Sequence, residues 1–445
     1  MKKIYLIPVI LFSFYTAHHL FAKRVYIVVD DAKIRKTNIA IASFKNLKND
    51  KTAKSVGDGI RDVILADLQF SNIFSFIESG QNELLQKTGH EPEEINFKEW
   101  GALGAEFLIH GGYRLEGDRF IFETRLYDIK QGRLIVGKNY KADRKDMRKV
   151  SHRFSDAVME ELTGEKGIFQ TKILFVSDKS GNKELYSVDF DGYPESIEKL
   201  TDHKSIVLSP AWAPDGKKVS YSCYMTHPRH IQNLDLLVMD LEEREFEVIS
   251  SESGQNSGSN WSPNGEEIAV TLSFEGNPEI YLMDDEGGNR RRLTTHREVD
   301  VEPSWSPDSE KIVFSSGRAP FAHLHIMNKD GSNVTRLTHA GKYNSTPAWS
   351  PKGDKIAFSA QIDAASFDLY LILSNGTGLR RLTKTTPRKH NEHPSWSPDG
   401  RHIVFTSNRT GKYGLYVMTE EGDNERPLLI KNFGNITSPE WSPYL

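Results

Sequence analysis

Pro394-Ser-Trp-Ser-Pro-Asp-Gly400 is one copy of a short motif that recurs through the second half of the chain. The six tryptophans of this motif are 49, 44, 44, 47 and 45 residues apart, a period typical of propeller blades with four strands. Every copy except the last is followed by a β-prone apolar run, such as His402-Ile-Val-Phe-Thr406, and Pro and Gly separate the runs. The pattern predicts six four-stranded blades. The six tryptophans are Trp212, Trp261, Trp305, Trp349, Trp396 and Trp441.

The two ends of the repeat array do not match. The first blade-like run, at 171–176, has no tryptophan motif before it, and the final motif has no strands after it. We therefore expect the strand of Trp441 to form the innermost strand of the blade built from residues 171–201. Such closure leaves no open sheet edge, which is how propellers avoid edge-to-edge aggregation.

Composition excludes several classes of function. The 445 residues are too many for one domain, and 38% hydrophobic with 27% charged residues is ordinary for a globular protein with a sizeable core. A net charge of −4 argues against nucleic-acid binding driven by phosphate attraction. Cys223 is the only cysteine, so there is no disulfide framework and no cysteine-based zinc site.

The N-terminus predicts a cleaved signal peptide over residues 1–22. Lys2 and Lys3 precede an apolar run at 4–14, and Ala22 offers a small residue at the cut. The apolar run is short for a permanent anchor, although an uncleaved anchor is the alternative. We expect a mature protein outside the cytoplasm that is not embedded in a membrane.

Residues 23–165 predict an α/β domain with a mixed sheet, and residues 166–445 the propeller. Apolar residues at helical spacing predict three helices in the first domain, and antiparallel strands follow from 107 onwards. The predicted helices lie around 60–68, 97–103 and 147–162, and the strands at 37–44, 74–77, 107–113, 120–127 and 134–140.

Residues 23–36 form an N-terminal arm, whose first part is β-prone. An ordinary edge strand and an arm that pairs with a partner's sheet edge are both compatible with it. The β-prone residues of the arm are Lys23, Arg24, Val25, Tyr26, Ile27, Val28, Val29 and Asp30.

The sequence carries no recognisable catalytic signature. It has no Gly-x-Ser-x-Gly motif and no phosphate-binding loop. Its histidine pairs lack a third metal ligand. Asp300, Glu302 and Glu392 could suit calcium, but a water-filled polar channel explains them equally well. We expect no catalytic residues, no metal and no cofactor.

The residues just before each tryptophan motif do not repeat, whereas the motif itself does. The repeated frame indicates a packing role, with the tryptophans as wedges between blades. If the tryptophan strand is innermost, the variable residues line the channel mouth, where a rigid scaffold can present a binding surface. Solvated loops are the alternative. The candidate partner-binding residues are Gln255, Asn256, Ser257, Gly258, Asp300, Val301, Glu302, Asn344, Glu392 and His393.

The chain resembles the TolB family, the periplasmic component of the Tol–Pal system of Gram-negative bacteria. The resemblance rests on the domain order, the junction Leu162-Thr-Gly-Glu-Lys-Gly167 and the ending Trp441-Ser-Pro-Tyr-Leu445. It implies a periplasmic protein that binds the peptidoglycan-associated lipoprotein Pal at the channel mouth and TolA through the arm at 23–30. It also implies a role in outer-membrane integrity and in invagination during cell division.

Two hypotheses follow. The first is a monomeric, non-enzymatic adaptor whose propeller docks a lipoprotein. The second is a secreted propeller enzyme, or a module that binds a small ligand or peptide, with its site at the same channel. An enzyme would need convergent acid, base or nucleophilic groups at the mouth, and the sequence offers only scattered ones.

Overall fold

The computed structural model describes residues 36–48, 54–77, 91–228, 231–362 and 366–445. The predicted signal peptide and the β-prone part of the arm lie outside these ranges. Among the helices that are described, none is both long and apolar enough to cross a bilayer.

The first domain contains one mixed sheet, as predicted. Strand β1 pairs in parallel with β3 and β4, whereas β4, β5 and β6 form an antiparallel meander, and the short β2 pairs with β4. The strands are β1 (Thr37–Ile41), β2 (Lys45–Asn46), β3 (Phe74–Phe76), β4 (Phe107–Glu116), β5 (Arg119–Asp128) and β6 (Arg133–Asp143). The helices are α1 (Lys54–Phe70), α2 (Phe97–Ala102) and α3 (Met147–Thr163), with 3-10 turns at Pro92–Glu94 and Arg144–Asp146.

Helices α1 and α3 cover one face of this sheet because each carries an apolar stripe at helical spacing. Ile60, Ile64 and Leu68 of α1 and Phe154 of α3 are fully buried in a common core. Helix α3 ends at Gly164, whose φ of 77° lets its N–H close the last turn on the Glu160 carbonyl. The chain then passes directly to the first propeller strand.

The second part is a propeller of six four-stranded antiparallel blades, which confirms the predicted fold class. Blade 1 consists of β30 (Ile436–Trp441), β7 (Lys172–Ser177), β8 (Glu184–Asp189) and β9 (Glu198–Lys199), with a 3-10 turn at Pro194–Ser196. Blade 2 consists of β10 (Val207–Trp212), β11 (Lys218–His227), β12 (Ile231–Asp240) and β13 (Phe246–Ser250). Blade 3 consists of β14 (Asn256–Trp261), β15 (Ile268–Leu272), β16 (Glu279–Met283) and β17 (Arg291–Arg292). Blade 4 consists of β18 (Asp300–Trp305), β19 (Lys311–Ser316), β20 (His323–Asn328) and β21 (Thr335–Arg336). Blade 5 consists of β22 (Tyr343–Trp349), β23 (Lys355–Gln361), β24 (Asp368–Leu373) and β25 (Arg380–Arg381). Blade 6 is β26 (Asn391–Trp396), β27 (His402–Ser407), β28 (Gly414–Thr419) and β29 (Arg426–Leu429).

The ring closes through the C-terminal strand, as the sequence predicts. Strand β30 pairs antiparallel with β7, with Ile436 opposite Ser177 and Trp441 opposite Ile173. The innermost strand of blade 1 therefore comes from the far end of the chain.

The tryptophans lie between blades, as predicted. The indole Nε1 of Trp305 donates to the Asn260 carbonyl of the preceding blade at 3.2 Å, and that of Trp396 donates to the Ala348 carbonyl at 3.0 Å. Trp349 is different because its Nε1 donates to Gly353 in its own turn, at 3.1 Å. Most of the wedges thus join two blades by a hydrogen bond as well as by packing.

The propeller has two faces, and the first domain packs on one of them. We call the face where the inner strands end the tryptophan face, and the face where they begin the mouth face. The centroid of the Phe70 ring in α1 lies 4.6 Å from the ring centroid of His402 and 6.3 Å from that of Trp441. His402 begins β27 and Trp441 ends β30, so both mark the tryptophan face. The variable residues before each tryptophan therefore lie on the opposite face.

Candidate functional site at the channel mouth

Each of the six inner strands contains a β-bulge at the same place. In β18, Val301 pairs with Ser315, but the next pair is Ser304 with Val313, and the other five inner strands shift register in the same way. The residue three positions before each tryptophan has a positive φ. We call these six residues the bulge ring: Ser209 (47°), Gly258 (63°), Glu302 (57°), Thr346 (48°), His393 (55°) and Ser438 (50°).

The bulge ring is strained and is held by contacts between blades. A positive φ costs a residue with a side chain about 1–3 kcal/mol, so surrounding structure must impose it. The N–H of Thr346 donates to Glu302 Oε2 at 2.7 Å, and the N–H of Glu302 donates to Thr271 Oγ1 at 3.3 Å. The N–H of His393 donates to Ser359 Oγ at 3.1 Å. In each case the acceptor belongs to the preceding blade, so the packing of neighbouring blades fixes these bulges.

The propeller axis contains a cavity of about 460 Å³. All six residues of the bulge ring line it, together with the six tryptophans and the prolines that follow them. The frame therefore supplies a largely apolar wall, and the residues that differ from blade to blade supply polar groups at one level of it.

Glu302 is partly accessible at the mouth and also forms structural hydrogen bonds. It is half-buried in the ring, and its Oε2 accepts hydrogen bonds from Ser315 Oγ at 2.9 Å and from the Thr346 N–H at 2.7 Å. Glu392, one residue before the ring, accepts from the Tyr413 hydroxyl at 2.7 Å. Burial and the nearby Glu392 carboxylate raise the pKa of Tyr413, so that hydroxyl stays protonated and fixes the carboxylate.

Three of the candidate residues are buried and do not face the mouth. Asn256, Asp300 and Asn344 are at most 1% exposed and lie at the first or second position of their inner strands. Asn344 Nδ2 donates to the Ala340 carbonyl at 3.1 Å, and Asp300 forms an ion pair of 2.6 Å with Arg318. These side chains satisfy loop carbonyls and a neighbouring cation that would otherwise lack a partner. They therefore stabilise the structure beneath the mouth. The three side chains are not exposed at the mouth of the free protein, and their part in a binding surface stays a prediction.

The structure places the remaining candidates around the ring and adds three residues to it. Gly258, Glu302 and His393 belong to the ring; Val301, Gln255 and Glu392 are half-buried beside it; and Ser257 is buried, accepting from Gln255 Nε2 at 2.6 Å. Ser209, Thr346 and Ser438 were not among the candidates. Their position three residues before a tryptophan was the signal that could have identified them.

A carboxyl group with a raised pKa also lies in the cavity wall. Glu440 precedes Trp441 and is a cavity residue, and burial raises its pKa from 4.5 to about 7, against the opposing effect of a hydrogen bond with Ser395. Neutral residues occupy the equivalent position in the other blades, for example Ala211 and Asn260. Sequence reasoning did not single out Glu440, because its neutral counterparts give no sign of a functional position.

His227, His323, His325 and Cys223 occupy structural positions, whereas His393 belongs to the bulge ring and His230 lies outside the described residues. His323 and His325 are buried in β20, and burial lowers the pKa of His323 to about 4. His227 contacts the buried Asp235 at 2.7 Å. Cys223 is fully buried, as expected from its strand-like surroundings. Within the described ranges, no three His, Cys, Asp or Glu side chains converge on one point where a metal could bind.

Exposed apolar residues surround part of the mouth. Phe321 and Tyr343 are 43% and 48% exposed, and their rings lie 6.4 Å apart. Strands β11 and β12 form a longer hairpin than their counterparts and bring Tyr224 to the same face, next to Ile206. The exposed apolar residues of the mouth face are Ile206, Tyr224, Phe274, Val299, Phe321 and Tyr343, all in blades 2 to 5 and the loops that join them.

Comparison with known families gives two matches that together cover most of the chain. Residues 159–445 match the family model described as TolB beta propeller domain. Residues 25–135 match the TolB amino-terminal domain. The order of the two matches is the order of the two domains in the structure.

Curated relatives and solved structures agree with these matches. The chain is 38% identical over 276 residues to the Tol-Pal system protein TolB of Desulfosudis oleivorans, covering 62% of this chain and 61% of that protein. It is 39% identical over 161 residues to the protein of the same name from Syntrophotalea carbinolica, covering 36% and 37%. The matched segments thus span less than two thirds of these relatives.

Among solved structures, the crystal structure of TolB from Acinetobacter baumannii superposes with a TM-score of 0.77 at 26% identity, covering 92% of this chain and 97% of that one. Two domains in the same order, one family model for each and this superposition lead to one conclusion: the chain belongs to the TolB family.

Proposed function

We propose that this protein is a non-enzymatic periplasmic adaptor of the Tol–Pal system. It docks the peptidoglycan-associated lipoprotein Pal on the mouth face and engages TolA through its N-terminal arm. In this role it serves outer-membrane integrity and the invagination of the outer membrane at division. Family membership and the names of the curated relatives support the Tol–Pal assignment.

The observation that carries the proposal is the bulge ring. The residues of this ring, five with side chains and one glycine, are held at one level of a repeated frame by backbone with positive φ. Bulges re-aim side chains and strain gathers at functional sites. A frame that only packed blades together would have no need for such positions.

The surroundings of the ring favour a macromolecular partner. The contacts between described residues of the first domain and the propeller, such as those of Phe70 with His402 and Trp441, lie on the opposite face. Large apolar side chains such as Tyr343 and Phe321 are more than two fifths exposed there. Exposed apolar groups beside polar ones are typical of protein–protein interfaces.

The TolA contact rests on the family resemblance and on the sequence of the arm. Residues 23–30 are β-prone, which suits an arm that adds a strand to a partner's sheet edge. The arm lies outside the described residues, so this part of the proposal is independent of the channel geometry.

Titration calorimetry with the soluble domain of Pal from the same organism tests the docking site. Glu302→Lys reverses a charge in the ring and removes two hydrogen bonds, so we expect an affinity weaker by at least about tenfold. The same change costs about 1–3 kcal/mol of stability, so the titration is run well below the melting temperature. Glu302→Gln keeps an acceptor oxygen and should bind with an intermediate affinity.

The matched control is Glu286→Lys, which makes the same charge change at an exposed residue of a turn on the tryptophan face. We expect its affinity to equal that of the natural protein. If Glu302→Lys and Glu286→Lys bind Pal with equal affinity, Pal does not bind at the mouth. Absence of any binding by the natural protein would overturn the proposed function.

A further inference from the structure

The mouth face carries a concentration of positive charge on one side of the channel. Lysine and arginine residues are frequent in the mouth-face loops of the three consecutive blades 5, 6 and 1, and six of them are considered together. We call this set the basic arc: Lys384 and Arg388 before β26, Lys412 between β27 and β28, Lys431 before β30, and Lys179 and Lys183 between β7 and β8.

The cations of the basic arc are not neutralised by the described residues. No carboxylate of that part of the chain lies within ion-pair distance of any of them, and five of the six are exposed. The neighbouring Asp178 instead accepts from Asn435, at 2.7 Å from the backbone N–H and 2.9 Å from Nδ2. Lys179 lies over the ring of Phe433 at 3.7 Å, which holds its ammonium group at the surface.

Arginines elsewhere on the propeller, unlike the cations of the basic arc, form ion pairs with carboxylates. Arg290 pairs with Glu252 at 2.5 Å, Arg292 with Glu279 at 3.1 Å, and Arg381 with the buried Asp368. Since the whole chain has a net charge of −4, an unpaired basic region is not a by-product of a generally basic surface. Grouped like charges repel each other, so the arrangement costs stability unless something opposite in charge docks there.

The other side of the mouth has a different chemistry. The exposed apolar residues, such as Tyr224 and Phe321, lie in blades 2 to 5. Acidic side chains also lie on that side, and Glu252, Glu275 and Glu298 are 41%, 47% and 51% exposed. Each of these carboxylates forms an ion pair with an arginine (Arg290, Arg292 and Arg297), so charge on this side is largely balanced, unlike that of the arc. A face of mixed character fits a protein whose own docking surface is mixed.

We propose that the basic arc is the electrostatic half of the docking surface and selects a partner protein whose contact surface is acidic on one side and apolar on the other. This rests on the proposed function, because it describes the partner of the same mouth. The arc increases the association rate of the partner and selects one rotational orientation of it about the channel axis. Such steering acts mainly on the association rate and fades as salt screens it.

The test is the association rate of the soluble Pal domain, measured on the full mature protein at 50 and 500 mM salt. The triple variant Lys384→Glu, Lys412→Glu, Lys431→Glu should associate about tenfold more slowly than the natural protein at 50 mM, and the two rates should converge at 500 mM. The control variant Lys98→Glu, Lys130→Glu, Lys138→Glu makes the same charge change at exposed sites of the first domain. It should associate at the natural rate.

Three results would overturn the inference in distinguishable ways. If the arc variant and the control variant associate equally fast, the arc does not steer the partner, although the mouth still binds it. If the natural protein binds vesicles of phosphatidylglycerol, and the arc variant loses that binding but keeps its rate with Pal, the arc serves a membrane surface. If Pal does not bind the natural protein at either salt concentration, the proposed function fails as well.

Discussion

Replacement of Trp441 by alanine should destabilise the protein more than the same change at any other tryptophan of the repeat. Trp441 is 3% exposed, ends the strand that closes the ring, and also contacts the first domain through Phe70. Its indole Nε1 donates to Thr171 Oγ1 at 2.9 Å, and its backbone N–H donates to Ser395 Oγ at 2.9 Å. Its side chain thus joins blade 1 to the helical layer of the first domain, and its backbone N–H joins the closing strand to the inner strand of blade 6.

The size of the effect follows from these contacts. Removal of a buried tryptophan side chain costs about 3–5 kcal/mol through lost burial and the cavity that remains. Trp349 is the matched comparison because it is only half-buried and its Nε1 bonds within its own turn. Since the loss scales with the buried apolar area, we expect about 1–3 kcal/mol for Trp349→Ala.

Urea denaturation followed by far-ultraviolet circular dichroism measures both variants without depending on tryptophan fluorescence. Trp441→Phe separates packing from hydrogen bonding, because it keeps a ring but lacks the donor to Thr171, and should cost about 1–2 kcal/mol. If Trp441→Ala and Trp349→Ala lower the free energy of unfolding by the same amount, Trp441 has no special role in joining the domains and closing the ring.

Two further predictions concern the same region. Deletion of residues 438–445 removes most of β30 and exposes the edge of β7, so the shortened protein should unfold or aggregate, as seen by light scattering and thermal melting; an unchanged melting curve would refute closure through β30. Because burial raises the pKa of Glu440 from 4.5 to about 7, the folded protein binds this proton more tightly than the unfolded chain, and stability is lost as pH rises through that window. Glu440→Gln should remove the loss, so its stability should exceed that of the natural protein at pH 8 by more than at pH 5; a difference that does not vary with pH would contradict this account.

The frame of the propeller could be predicted because its signals are local and repeated. Each blade is marked by a tryptophan and a proline at fixed spacing, four of them also by a turn glycine, and the mismatch of the two chain ends indicates closure. The first domain was predictable for the same reason, since Ile60, Ile64 and Leu68 show their shared face in the spacing alone.

The bulge ring could not be predicted from local preferences. Glu302, Thr346 and His393 each precede a proline, and neither their side chains nor that position favours a positive φ. Only Gly258 carries a residue type that signals such a backbone. The conformation is imposed by hydrogen bonds from neighbouring blades, and those contacts exist only once the ring has closed.

The burial of Asn256, Asp300 and Asn344 has a similar origin. Polar residues next to a predicted channel mouth are reasonable candidates for a binding surface, because such residues are usually exposed. Arg318, the partner of Asp300, lies in the loop after β19, and the carbonyls that accept from Asn256 and Asn344 include those of Glu252 and Ala340 in the preceding loops. The direction of each side chain therefore depends on tertiary contacts that spacing along the chain does not reveal.

Hydrogen–deuterium exchange of the protein alone and in complex with the soluble Pal domain tests the central proposal, a partner docked over the bulge ring. The account predicts added protection at the ring, at residues 209, 258, 302, 346, 393 and 438, and in the mouth-face loops of blades 4 to 6. It predicts no change in the turns of the tryptophan face, such as that of Glu286. Protection confined to the tryptophan face or to the outer strands would contradict it.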